Sequence, residues 1–319
     1  MTKLRVAVLY GGRSGEHEVS LNSAESIIHA MDPAKYDVQR ILISKDGRWH
    51  PRAISPEPGG NPDIDVVFPV LHGTFGEDGT VQGLLELADL PYVGARVLAS
   101  SVSMDKEVMK RLCAASGLPV ADYFVNEASP LPFGFPLFVK PANLGSSVGI
   151  SKVNSIEELA PAIKFAKEFD RKIIIERGIA GREFECSVLG NDDPQASVPC
   201  EILPSRDFYD YEDKYLLNKA QTVVPADLSA EQTREIQKLA IACYQAVECE
   251  GMARVDFLLE TATGKFFINE INTIPGFTSI SMYPKMWEAS GLAYPALIDR
   301  LIELAVERHE SRRGMRYSR

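Results

Sequence analysis

Residues 252–272 read MARVDFLLETATGKFFINEIN: two β-type runs, Met252 to Glu260 and Lys265 to Ile271, joined by Thr261 to Gly264 as a hairpin turn. In a β-strand every second side chain shares a face, so Arg254 and Asp256 project together, as do Glu270 and Asn272 on the return strand. If the register pairs Asp256 with Glu270, Arg254 falls opposite Asn272, and one surface carries two carboxylates, an amide oxygen and a guanidinium. Hard cations of the Mg2+ type take such oxygen ligands, commonly one or two carboxylates completed by phosphates and waters. Taken singly, a carboxylate alternating on a strand reads as a solvated sheet face. The loop that follows, Asn272-Thr273-Ile274-Pro275-Gly276-Phe277-Thr278-Ser279, tips the balance. A glycine next to a metal can present backbone N–H groups to an anion.

Upstream of the hairpin, Glu183 to Leu189 alternates strongly, a polar aromatic loop runs near Tyr209 to Tyr215, and a long helix opens at Ser229 with Gln232 as its reciprocal cap. Downstream, Tyr294 to Arg308 has Leu297, Leu301 and Leu304 at core spacing for a last helix. An earlier unit starts with a helix after Met104 that carries Val108 and Leu112 and stops at Gly117 and Pro119. The Pro130 to Pro136 stretch breaks the chain; strand Leu137 to Lys140, a helix with a capping box of Ser155 and Glu158, and strand Lys172 to Glu176 follow. The first hundred residues alternate strand and helix, with Arg5 to Tyr10, Leu21 to Met31, Val38 to Ile43, Val66 to Leu71 and Thr80 to Leu90, which predicts a parallel sheet. The chain therefore divides into units at 1–103, 104–182 and 183–319, a length that suits two or three compact domains.

Lys140-Pro141-Ala142-Asn143-Leu144-Gly145-Ser146-Ser147-Val148-Gly149 puts a lysine at a strand end and then a small-residue loop. Backbone amides there can wrap a phosphate while the ammonium supplies charge. No Gly-Lys-Ser or Gly-Lys-Thr closes it, so it is not a Walker A loop, and alone a glycine-serine loop is a plain turn. With Lys106, Lys140 and the acidic face of the hairpin, it describes a nucleotide clamped between two units.

Acidic residues outnumber basic ones, 44 against 34, for a net charge of −10, and no global basic footprint for nucleic acid exists. No apolar run approaches the roughly 20 residues of a membrane span, and the start shows no signal-peptide pattern, so the expected compartment is the cytoplasm. Cys113, Cys186, Cys200, Cys243 and Cys249 are scattered, odd in number and without a Cys-x-x-Cys pair, and read as reduced, mostly buried residues. The arginine-rich tail from Arg308 to Arg319 reads as a solvated, frayed terminus. Trp49, Trp287 and Cys200 read as packing, and His17 as a residue that caps or hydrogen-bonds its helix.

Six ordered segments carry a resemblance. They are Gly11-Gly12-Arg13-Ser14-Gly15-Glu16-His17-Glu18-Val19-Ser20, Leu71-His72-Gly73 with Gly76-Glu77-Asp78-Gly79, Met104-Asp105-Lys106, the Lys140 to Ser151 loop, Phe208 to Tyr215, and Asn269 to Ser281. In this order, nearly end to end, the chain resembles the ATP-grasp superfamily and more closely its D-alanine:D-alanine ligases. That resemblance implies an α/β (α+β) three-domain ATP-grasp fold with an N-terminal Rossmann-like parallel-sheet domain. It implies ATP-dependent joining of two D-alanine molecules through an acyl phosphate, with two Mg2+ or Mn2+ ions, in a cytoplasmic homodimer.

The resemblance also implies roles. Lys106 and Lys140 bind the ATP phosphates with Ser147 and Asn269 beside them, Glu176, Arg177 and Ile179 line the adenine pocket, and Glu183 holds the ribose. Lys214 reaches the γ-phosphate from a loop. Asp256 and Glu270 hold one metal, Glu270 and Asn272 the other. Glu16 pairs with the first D-alanine's ammonium near His72, and Ser281 with the backbone of Met282 takes the second carboxylate. Glu16, Ser146 and Tyr215 tie the first helix to the closing loop, while Arg254 and the Gly276 amide meet the oxyanion. Arg177 stands where many relatives carry lysine. Tyr215 favours the dipeptide over the D-lactate ester, leaving D-lactate or D-serine as rival acceptors and a catalytically silent nucleotide sensor as a different class.

Overall fold

The computed structural model describes residues 3–126, 130–203, 221–278 and 280–316. The expected Lys214 and Tyr215, with the whole Phe208 to Tyr215 segment, lie outside the described residues.

The chain opens with β1 (Leu4–Gly11), α1 (His17–Ala30), β2 (Tyr36–Ile43), β3 (Trp49–His50), β4 (Val66–Val70), α2 (Thr80–Leu87) and α3 (Val97–Met104). Its sheet has the order β3-β2-β1-β4, with β1 parallel to both β2 and β4 and β3 an antiparallel edge. Val6, Ala7, Val8 and Leu9 are all fully buried, as a central parallel strand covered on both faces requires. Val6 and Val8 pack with Ala24 and Ile27 of α1, whereas Ala7 and Leu9 pack with Val81 and Leu85 of α2. Helix α1 begins at His17, four residues before the amphipathic stretch predicts, and puts Glu16 at its N-terminus.

Next come α4 (Lys106–Ala115), β5 (Tyr123–Val125), β6 (Leu137–Pro141), β7 (Ser151–Val153), α5 (Ile156–Ala166) and β8 (Ile173–Arg177), with an antiparallel sheet β5-β8-β6-β7. Leu137, Val139, Ile173 and Ile175 face α5 through Leu159, Ala162 and Ala166. The two-residue period then sends Lys140 and Glu176 to the opposite face. The expected capping box at Ser155 is absent: its side chain makes no cap bond, and Glu158 Oε2 instead accepts from the Asn154 N–H at 2.8 Å.

The rest comprises β9 (Gly181–Gly190), β10 (Gln195–Ala196), β11 (Cys200–Leu203), β12 (Gln221–Val223), α6 (Ala230–Ala246), β13 (Gly251–Glu260), β14 (Phe266–Asn272), α7 (Met282–Ala289) and α8 (Tyr294–Arg313). Its antiparallel sheet runs β12-β11-β9-β13-β14, with β10 beside β9. Phe184, Cys186, Val255 and Phe257 bury one face against Ile236, Ala240 and Cys243 of α6 and Met109 of α4. Ser229 and Gln232 form the predicted capping box on α6. All five cysteines are buried and free.

Helix α8 returns to the first sheet, where Leu297, Leu301 and Leu304 join Val6, Val8, Phe68 and Val70. The expectation of a frayed basic tail fails here. Arg308 is buried and donates to the carbonyls of Gly94 and Tyr92 at 2.6 and 2.7 Å, and Arg312 pairs with Glu86 at 2.6 Å.

Candidate active site

The register of the hairpin is the one its alternation suggested: Asp256 lies opposite Glu270 and Arg254 opposite Asn272. On the other side of β13, Asp256 lies opposite Glu185 of β9. Three carboxylates therefore form a row across three strands, on the face that α6 leaves open. Arg254 spans the row, donating to both oxygens of Asp256 at 2.7 Å and lying 3.3 Å from Glu185 Oε2. Burial works against its charge, but Asp256 and Glu185 outweigh it and hold the guanidinium firmly protonated. The Asn272 amide contacts Asp256 Oδ2 at 3.1 Å.

A β-bulge makes this face possible. Asp256 pairs with Glu270 but Phe257 pairs with Ile268, so Asn269 is the extra residue on β14. Ile268 thereby enters the core while Glu270 faces the cleft, which strict alternation would forbid. The bulged Asn269 accepts from Lys140 Nζ at 3.2 Å and links the two antiparallel sheets.

A cleft between these sheets is lined by Lys106, Lys140, Gly145, Glu183, Asp256 and Glu270, with Ser147 on its wall. Lys106, the first residue of α4, donates to the Leu144 carbonyl at 2.7 Å and lies 3.3 Å from Glu270 Oε2. Asp105 caps that helix by accepting from the N–H groups of Glu107 and Val108. Lys140 Nζ lies 2.6 Å from Glu176 Oε2, and Lys110, which sequence reasoning passed over, lies 3.1 Å from Glu176 Oε1. Burial alone would raise the Glu176 carboxyl; Lys110 and Lys140 bring it down to about 2. Glu176 thus faces the lysines. Arg177, at the end of β8, turns away to Glu260 at 2.8 Å, and Ile179 sits in the connection to β9.

At the other end of the cleft the Ser146 hydroxyl donates to Glu16, joining the glycine-serine loop to the start of α1. Ser146 and Ser147 both hold left-handed backbone conformations, φ 54° and 58°, which keep the loop tight. His72 is buried, bonded through Nδ1 to the Ile274 carbonyl at 2.9 Å and through Nε2 to Ser23 at 3.0 Å. A carbonyl only accepts, so the proton sits on Nδ1; burial lowers the pKa, keeping the ring neutral. Glu77, also missed, accepts from the N–H of Gly73 and of Ile274 at 2.8 and 3.1 Å, and burial with the nearby Glu16 pushes it up to about 8. Glu77 and His72 together hold the 274–277 loop against the segment that follows β4. Within that loop a Cβ on Gly276 would come within 3.1 Å of Ser281 Oγ, and Ser281 accepts from the Thr278 N–H at 3.0 Å ahead of Met282, the first residue of α7.

Asp256, Glu270 and Asn272 fit a hard divalent cation in the chemistry of their donor atoms: two carboxylates and an amide, the carboxylates now offset by Arg254 and Lys106. Among the described residues no group of three acidic, imidazole or thiolate side chains forms a metal cage by itself. Mg2+ commonly completes its octahedron with substrate phosphates and water.

Two antiparallel sheets closing over a lysine-lined cleft with a carboxylate row at its base define the ATP-grasp class of ligases. Models of the D-ala D-ala ligase N-terminus and C-terminus match residues 5–95 in two overlapping segments, 5–61 and 55–95, and residues 112–303. The chain belongs to the D-alanine:D-alanine ligase family. It is 64% identical to a D-alanine--D-alanine ligase of Solibacter usitatus, over 99% of this chain and 100% of the relative, and 48% identical to D-alanine--D-alanine ligase A of Escherichia coli K12, over 97% of each. Among solved structures, the D-alanine-D-alanine ligase from Coxiella burnetii superposes with a TM-score of 0.87 at 42% identity, covering 98% of this chain and 97% of that one. The VanG D-Ala:D-Ser ligase from Enterococcus faecalis gives 0.88 at 36%, covering 95% and 100%.

Proposed function

We propose that this chain joins two D-alanine molecules at the expense of ATP, making D-alanyl-D-alanine for peptidoglycan. The observation that carries this reading is the cleft itself, where Lys106, Lys140 and the Gly145 loop oppose the Asp256 and Glu270 carboxylates, with Glu16 held at its edge by Ser146. A carboxylate does not condense with an amine at neutral pH, so an oxygen of the first D-alanine attacks the γ-phosphorus and ADP leaves. The second amine then attacks the acyl carbon of the acyl phosphate, loses a proton, and inorganic phosphate departs.

Phosphoryl transfer demands positioning and charge neutralisation. Lys106 and Lys140 supply both to the polyphosphate, with Ser147, Asn269, Glu183 and the backbone of the Glu176 to Ile179 connection holding the rest of the nucleotide. Asp256, Glu270 and Asn272 would hold two Mg2+ or Mn2+ ions, whose chemistry is to screen phosphate charge. Glu16 would take the first ammonium, Ser281 and the Met282 N–H the second carboxylate, and Arg254 with the Gly276 N–H the oxyanion. Lys214 and Tyr215 would close over the site. The division into 1–103, 104–182 and 183–319, a homodimeric assembly and a cytoplasmic location belong to the same reading; no helix among the described residues is long and apolar enough to cross a membrane.

ADP formation measured with each D-amino acid alone and in pairs, with chromatographic identification of products, tests it. D-alanine alone should suffice. A requirement for D-serine or D-lactate as second substrate would transfer the chain to another acceptor class, and ATP turnover indifferent to D-alanine would reject ligation altogether.

A further inference from the structure

Lys110 lies one helical turn after Lys106 on α4, and that spacing puts both side chains on one helix face. They end in different environments. Lys106 reaches the cleft, whereas Lys110, only 1% exposed, ends behind it, 3.1 Å from Glu176 Oε1 and 3.4 Å from the Ile268 carbonyl. The other Glu176 oxygen receives Lys140 at 2.6 Å. One buried carboxylate therefore stands between two ammonium groups, and the trio carries an excess of positive charge directly behind the phosphate loop. Burial draws the Lys110 pKa down and Glu176 opposes that pull. An interior that needed only a packed α4 would be served by a methionine of similar length, since buried ion pairs are weak contributors to stability. Without Lys110, Glu176 would be neutralised by Lys140 alone, leaving Lys140 little charge for a substrate.

We propose that Lys110 is a positioning residue for phosphoryl transfer: it holds one oxygen of Glu176 so that the other fixes Lys140, while the cluster stays net positive toward the ATP polyphosphate. This rests on the reading of the cleft as the ATP site. Lys106 and Lys140 touch the polyphosphate; Lys110 acts through Glu176.

The test compares binding of ATP with Mg2+, in the absence of D-alanine, with binding of adenosine, which lacks the charge that Lys140 would meet. For Lys110→Met, ATP affinity should fall about tenfold while adenosine affinity stays within about twofold. A purely structural lysine would move both or neither, and either result overturns the proposal. The double variant Lys110→Met/Glu176→Gln should recover ATP affinity to within about threefold of wild type, because no carboxylate is left to consume the charge of Lys140. The double variant also leaves no unpaired buried carboxylate, so it decides the question if the single variant does not fold. A double variant still about tenfold weak for ATP would overturn the charge-sharing role. Wild-type protein that binds no ATP would remove the nucleotide site itself, a result distinct from both.

Discussion

Arg254 closes on Asp256, two positions along its own strand, with two N–H···O bonds of 2.7 Å, Nε to Oδ1 and Nη2 to Oδ2. The group expected to meet the oxyanion is thus held in register by a carboxylate expected to hold metal. Arg254→Ala should lower kcat by about 10² to 10³, the usual cost of one oxyanion donor, with ADP affinity changed by less than about threefold. Turnover near the wild-type rate would take Arg254 out of the chemistry.

Gly73 has φ +73°, and a Cβ placed there would sit 2.5 Å from Glu16 Oε2. Gly73→Ala adds left-handed strain of about 1–2 kcal/mol and displaces the carboxylate proposed to take the first ammonium. The expected signature is a KM for D-alanine raised about tenfold with the KM for ATP nearly unchanged; equal rises in both would show a general collapse of the loop.

Asp256 and Glu270 face each other across β13 and β14. Chelation of divalent cations should abolish ADP formation, and Asp256→Asn should raise the Mg2+ concentration for half-maximal rate by at least about tenfold. A titration curve that superimposes on the wild type would disconnect Asp256 from the metal.

The two serine caps offer a paired stability measurement. Ser229→Ala breaks a formed capping box on α6 and should cost about 1 kcal/mol, whereas Ser155→Ala removes no cap bond on α5 and should cost about 0.5 kcal/mol or less. Urea midpoints of the two variants would separate them; equal losses would contradict the difference in cap geometry.

Burial resists ionisation of Glu86, yet Arg312 and Arg96, at 2.6 and 2.9 Å, bring its carboxyl down to about 2 from an ordinary 4.5. Because the folded pKa is depressed, the stabilisation is present above about 4.5 and disappears as pH falls toward about 2. Discounted for solvent screening, it amounts to about 1 kcal/mol. Glu86→Gln should therefore be less stable than wild type in urea at pH 7, with the gap narrowing below pH 4.5. A gap that widens with acid would reverse the sign.

The α/β alternation of the first hundred residues, the hairpin and its register, and the capping box at Ser229 were legible in the sequence because each is a local pattern with a fixed period. The Asn269 bulge was not. Reading 265–272 by twos puts Ile268 and Glu270 on one face, and only the packing demand on Ile268 against Phe257 and Phe266 shows that an extra residue must intervene. Glu185 could have been found, since it follows Glu183 by two in an alternating strand; its place in the carboxylate row depends on which strand neighbours β13. Lys110 carries no local signal, and Glu77 lies in the Gly76 to Gly79 motif, which does not show what its side chain binds. Their roles come from partners far along the chain, Glu176 and the Ile274 amide. The tail was misread because its arginines look solvated in isolation, while Arg308 finds backbone acceptors at Gly94 and Tyr92.

The packing of α8 against β4 has a consequence for biosynthesis. The apolar side of the opening sheet, with Val6, Val8, Phe68 and Val70, is covered in part by α1 and in part by a helix that starts only at Tyr294. At ribosomal speed that helix emerges on the order of tens of seconds later. Until then the nascent chain carries an unsealed greasy surface, and a transcript truncated before Leu297 would yield a polypeptide prone to aggregate even though its first sheet is fully encoded.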